Sequence, residues 1–131
     1  MRSNRFLVFL VGLCLVVAAV TMGAEGWHQL GQKVVNFRSN PDVITTVGDP
    51  VPFAKLRLQV KESALDIVDV KVYVADGQTF NVTLNKYLRP GAESSVIEVP
   101  GGPKVIQKVE FSYRKSPEGS RLPLVRLLAS N

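Results

Sequence analysis

The segment FAKLRLQVK sets Ala54, Leu56, Leu58 and Val60 on one parity and Lys55, Arg57, Gln59 and Lys61 on the other. A repeat of two is the repeat of an extended strand with one face in a core and one in water. A helix, whose faces recur every 3.6 residues, cannot satisfy it. The pattern returns at Val68, Val70, Val72 and Val74, pauses at Asp76-Gly77, and resumes at Phe80, Val82 and Leu84. Asp-Gly tolerates the positive φ angles of a tight turn, so Val68 to Ala75 and Gln78 to Leu84 are expected to form an antiparallel hairpin. Val70, Val72, Phe80 and Val82 would point inward, with Lys71, Tyr73, Asn81 and Thr83 outward.

The remainder of the chain continues in this mode. HQLGQKVVNF and VITTV supply two strands separated by Asn40-Pro41, and SSVIEV a short one ended by Pro100-Gly101-Gly102-Pro103. KVIQKVEFSYRK alternates again, with Val105, Val109, Phe111 and Tyr113 on one parity. After a turn at Pro117 to Ser120, LPLVRLLAS reads as a closing strand, with Pro123 suited to an edge or a bulge because it has no N–H to donate. In KESALDIVDV the apolar parity changes between Ile67 and Val68, which calls for a bulge, a bend or a single helical turn. Seven or eight short antiparallel strands divided by turn signals predict an all-β sandwich, with a flattened barrel as second choice.

The first residues set the compartment. Arg2 and Arg5 precede the apolar run Phe6 to Val20, and small residues follow, ending Ala24-Glu25-Gly26. This is the order of a helical secretory signal, so residues 1–26 are expected to be removed on export to the periplasm or the cell exterior. A cut near Thr21 and Gly23 is a second option, and an uncleaved anchor over residues 6–24 is the alternative. The sole cysteine, Cys14, follows Leu13 rather than the small residue that lipid attachment needs. Residues 27–131 then form one domain of about 100 residues, too small for two cores. With 16 Lys and Arg against 11 Asp and Glu, the chain carries a mild positive excess. That balance favours anionic partners without specifying one.

Leu30-Gly31, Lys55-Leu56-Arg57-Leu58, Arg89-Pro90-Gly91 with Ser95-Val96-Ile97, and Lys108-Val109-Glu110-Phe111 together resemble the layout of YaaI-like small exported bacterial proteins. The resemblance implies an exported β-rich domain of unknown function, and it carries no catalytic motif or site.

Several chemistries lack their residues. Activation of a serine by histidine would rest on His28 alone, beside the expected mature start. Zinc needs several nitrogen or sulfur ligands, and a domain from Trp27 onward has one histidine and no cysteine. No DxDxDG-like calcium loop is present, the Pro100 to Pro103 turn is no phosphate cradle, and nothing points to nucleic acid. No cofactor is expected. A two-carboxylate glycan hydrolase is the catalytic alternative, with Glu98, Glu110, Asp66 and Asp69 as candidates. The primary expectation is a non-catalytic binding module. Lys55, Arg57 and Lys61 lie along one strand face over roughly 20 Å, and Lys71 and Tyr73 are expected beside them as a site for an anionic envelope polymer or glycan. Trp27 and Tyr87 are further candidates for stacking on a sugar. A structural accessory that pairs with another envelope protein through an edge near Pro123 is the remaining alternative.

Overall fold

The computed structural model describes residues 26–114 and 121–131. The expected leader, except Gly26, and the Pro117 to Ser120 turn lie outside the described residues. Nine strands follow in order: β1 (His28–Val34), β2 (Asp42–Thr45), β3 (Pro52–Phe53), β4 (Lys55–Lys61), β5 (Leu65–Val74), β6 (Thr79–Leu88), β7 (Ile97–Glu98), β8 (Lys104–Arg114) and β9 (Leu124–Ser130). They form two antiparallel sheets, one ordered β1-β9-β4-β7 and the other β2-β8-β5-β6, with β3 on the edge of β8. The architecture is a sandwich, and neither sheet closes into a barrel.

Alternation does what it predicts where the strand is regular. In β4, Leu56, Leu58 and Val60 are fully buried while the four polar residues between and beside them are half-buried. In β5, Val70 and Val72 enter the core and pair with Val82 and Phe80, with Lys71 opposite Asn81. The hairpin turn differs in detail from a two-residue loop. Val74 N–H donates to Gln78 O (3.0 Å), Gly77 N–H donates to Val74 O (3.1 Å), and only Gly77 has a positive φ, at 94°. This is a three-residue loop with glycine at its left-handed position. Asp76 instead accepts the Gln78 N–H at 2.9 Å, a bond that holds its carboxyl below the usual range.

The parity change at Ile67 and Val68 is a bulge. Against β8, Ile67 and Asp69 face the adjacent residues Tyr113 and Ser112, so Val68 is the extra residue and the core side passes from Leu65 and Ile67 to Val70 and Val72. A second irregularity corrects the expectation for β8. Tyr73 faces Lys108 but Val74 faces Ile106, so Ile106 is buried and Val105 is not. The placement of Pro123 is also corrected. β9 lies between β1 and β4, Pro123 is buried just before it, and its carbonyl accepts the Val35 N–H at 2.8 Å. No sheet edge opens there.

Only Glu62, Ser63 and Ala64 separate β4 from β5, which lie in different sheets. Ser63 N–H donates to Lys61 O (2.8 Å) and Glu62 takes a φ of 72°, the geometry of a three-residue γ-turn. On the far side of β4 the segment after β6 supplies a backbone border. Gly91 N–H and Ser94 N–H donate to Val60 O and Leu58 O, and Val60 N–H donates to Ala92 O. Where β1 crosses β2, Gly31 lets the sheets approach so closely that a β-carbon would lie 2.7 Å from Thr45 O.

Candidate functional site

Because β4 and β5 belong to different sheets, the expected site divides. Lys55, Arg57 and Lys61 share the outer face of the β4 sheet, and Lys71 and Tyr73 lie on the outer face of the other. The two groups are separated by the whole core and cannot contact one ligand surface together. The period-two pattern fixed parity within each strand, whereas the crossover at Glu62 to Ala64 decides which face each parity joins.

On the β4 face, pairing with β9 adds residues that strand-by-strand reading missed. Arg57 is opposite Leu128, Gln59 opposite Arg126, and Lys61 opposite Leu124. Arg126 therefore joins the cationic row, and its Nε is buried without a hydrogen-bond partner among the described residues. Its place in alternation with Val125 and Leu127 was visible in the sequence, but the neighbour that makes it part of the row was not. Arg57 is the best held of the four. Its guanidinium lies 4.9 Å from the centre of the Trp27 ring, pairs with Glu93 at 3.0 Å, and donates through Nε to Ser94 O at 3.2 Å. Trp27 is thus half-buried beside Arg57 on this outer face. Beside it, Gln29 Nε2 donates to Gln32 Oε1, and Lys55 is in register with Glu98. Lys55, Arg57, Lys61 and Arg126 outnumber the two neighbouring carboxylates, Glu93 and Glu98.

The opposite outer face is balanced in charge. The ammonium groups of Lys71 and Lys108 lie 5.1 and 4.6 Å from the Tyr73 ring centre, and the Tyr73 hydroxyl donates to Glu110. Next to this cluster is a shallow depression of about 170 Å³ lined by Pro41, Asp69, Val70, Lys71, Asn81, Glu110 and Ser112. Tyr87 is 42% exposed further along β6.

Among the candidate carboxylates, Asp69 and Glu110 line the same shallow depression, whereas Glu98 and Glu110 do not converge. Glu98 is on β7 and Glu110 on β8, in different sheets, and Asp66 pairs with Arg114 at 3.2 Å. Stacked sheets stand about 10 Å apart before outward side chains are added, beyond the separation that flanks one glycosidic bond. His28 packs its ring against Phe53 with centroids 5.7 Å apart.

One polar cluster is buried and structural. Tyr113, 5% exposed, has two acceptors within reach of its single hydroxyl proton, Ser39 O and Asp42 Oδ2 (3.0 Å), and Asp42 is itself 3% exposed. Ser39 Oγ donates to the other Asp42 oxygen at 2.6 Å, and Asn40 bonds both backbone groups of Tyr113. Burial first, and the Asp42 contact second, push the Tyr113 phenol up to about 12.

Residues 7–129 match a family described as a domain of unknown function, DUF2541. The chain belongs to that family. No curated protein sequence matches it. In fold, this DUF2541 domain is similar to AlgX of Pseudomonas aeruginosa, with a TM-score of 0.53 at 10% identity over 79% of this chain. It spans 26% of the AlgX chain. It is also similar to mutants of the family 29 carbohydrate-binding module CBM29-2. One, complexed with cellulohexaose, gives a TM-score of 0.37 at 14% identity over 80% of each chain. Another, complexed with mannohexaose, gives 0.36 at 15% over 80% of this chain and 81% of that one.

Proposed function

We propose that this DUF2541 domain is an exported, non-catalytic binding module whose β4 and β9 outer face engages an anionic polymer of the cell envelope. The reading keeps the export expected of YaaI-like proteins. One observation carries it: Lys55, Arg57, Lys61 and Arg126 share one outer sheet face on which Arg57 is held against Trp27. Fixed cations on a rigid sheet bind a polyanion by releasing its counterions, and little side-chain entropy is lost at Arg57 because Glu93, Ser94 and Trp27 already hold it. Trp27 adds an apolar ring on which a sugar face can stack beside the charges.

The test is co-sedimentation of the protein with purified envelope polymers across a salt series. Lys55→Gln with Lys61→Gln removes two charges from the row and leaves the Arg57 contacts in place. Retention should fall, and the slope of log affinity against log salt should flatten by roughly 2 or less. Lys71→Gln, on the opposite face, should change neither. Equal retention of the double variant and the parent, or loss only in Lys71→Gln, refutes the reading.

A further inference from the structure

Among the described strands, β6 is the longest sheet edge, ten residues from Thr79 to Leu88. Other borders are closed or short. The 91–94 segment bonds the rim of β4, β7 has two residues, and the β1 and β2 borders are joined by Val47 N–H donating to Leu30 O at 2.9 Å. From Thr79 to Leu84 β6 carries neither proline nor charge; a bulge follows, where Leu84 and Asn85 together oppose Val68 and Asn85 takes a φ of 45°. Its inward-pointing Phe80, Val82 and Leu84 pack against the core but stay only partly buried, so the core is left open along this border.

The hydrogen-bonding parity of this edge follows from the hairpin. Val74 and Gln78 are a bonded pair, so the backbone groups of Phe80 and Val82 face β5, while those of Thr79, Asn81 and Thr83 face away from it. We propose that β6 pairs antiparallel with β6 of a second copy of this chain, about a two-fold axis at Val82. In that register Val82 meets its own counterpart, Phe80 meets Leu84, and Asn81 exchanges backbone bonds with Thr83. Every inward position of one copy then faces an apolar residue of the other. The paired stretch from Phe80 to Leu84 holds no charge, and Lys86 lies beyond the bulge, so no like charges oppose one another. The free backbone groups also agree, because Asn81 and Thr83 are the residues whose N–H and C=O point outward. Registers moved by two residues do worse: one carries Phe80 past the bulge, where no apolar residue of the regular stretch meets it, and the other sets Leu84 against Gln78.

The two-fold axis is perpendicular to the sheet, which makes the β2-β8-β5-β6 order of one copy continuous with that of the other. An interface of this kind is isologous and closes at two copies. It makes no use of the basic face, so it stands or falls separately from the proposed ligand.

Sedimentation velocity over a dilution series, on the protein as isolated from expressing cells, tests the pairing. The parent should show a monomer–dimer equilibrium. Thr83→Pro deletes an outward N–H without touching the β5 ladder, and should raise the dimer dissociation constant about tenfold or more. Val82→Cys should give a disulfide-linked dimer under mild oxidation, because opposed residues of a non-bonded pair approach to about 4.5 Å between α-carbons. The parent, which carries only Cys14, and Thr79→Cys should not. A parent that is monomeric at every concentration, or a Val82→Cys chain that fails to cross-link, overturns the proposal. If Thr83→Pro fails to fold, the cross-linking result decides alone.

Discussion

Replacing Tyr113 by Phe removes one hydroxyl from a buried cluster and leaves the ring packed between Phe37 and Phe111. At neutral pH the loss falls on Asp42, a 3%-exposed carboxylate that keeps only the Ser39 hydroxyl, and on Ser39 O. A hydrogen bond to a buried charged group contributes about 1.5 to 3 kcal/mol, so Tyr113→Phe should destabilise by about that amount. The same hydroxyl ties that difference to pH. Its folded-state pKa, about 12, lies above the ordinary 10, so the native state holds the phenolic proton more tightly than the unfolded chain does. The corresponding stability is complete below pH 10 and is lost as pH rises through 12. A shift of two units corresponds to roughly 2 to 3 kcal/mol. The parent and Tyr113→Phe should therefore differ most below pH 10 and converge toward pH 12. Urea titrations followed by the fluorescence of Trp27, the single tryptophan, give both stabilities at each pH. Lysine titration affects both proteins alike and cancels in the difference. A gap of less than about 0.5 kcal/mol at pH 8, or one that stays constant from pH 9 to 12, would show that the cluster does not hold this proton as described.

Val72→Ala, at a fully buried position, should cost about 1 to 3 kcal/mol in the same titration, against a change within about 0.5 kcal/mol for Lys71→Ala on the outer face. Gly31→Ala should destabilise by about 1 to 3 kcal/mol, because its β-carbon would meet Thr45 O at 2.7 Å and Ile44 Cγ2 at 2.8 Å; stability equal to the parent would mean the sheets can separate freely there. Trp27→Ala should weaken polymer retention at every salt concentration without changing the salt slope, since it removes a ring and no charge. Mass spectrometry of the protein recovered from cells should find a chain starting close to Trp27, and an intact Met1 in the membrane fraction would favour the anchor instead.

Local parity was legible because it depends on adjacent residues. The polar and apolar sides of β4, and the inward placing of Val72 and Phe80 in one hairpin, could be read from spacing and one Asp-Gly, whereas their direct pairing depends on the third loop residue. The bulge at Val68 was legible as a break in that spacing. Its counterpart in β8 was not, because Val105 and Ile106 are both apolar and either one satisfies the pattern. Strand order lay further out of reach. Nothing in LPLVRLLAS separates a central strand from an edge strand, and that difference brings Arg126 beside Gln59 and withdraws Pro123 from the border. Of the candidate site, Lys55, Arg57 and Lys61 came from one strand and stayed together. Lys71 and Tyr73 came from the next strand and went to the opposite face. The Tyr113 and Asp42 contact joins residues far apart in the chain, and local pattern carries no trace of it.

The central position of β9 has a consequence for the order in which the chain folds. β1 and β4 do not touch each other's ladders; each pairs with β9, so that sheet cannot assemble until Leu124–Ser130 has been synthesised and delivered. Contacts over such long sequence separations form slowly, since a large loop must close before any of them contributes. Here the delay is built into the topology: β9 follows both of its neighbours in the chain, and until it is in place the rest of that sheet has no middle.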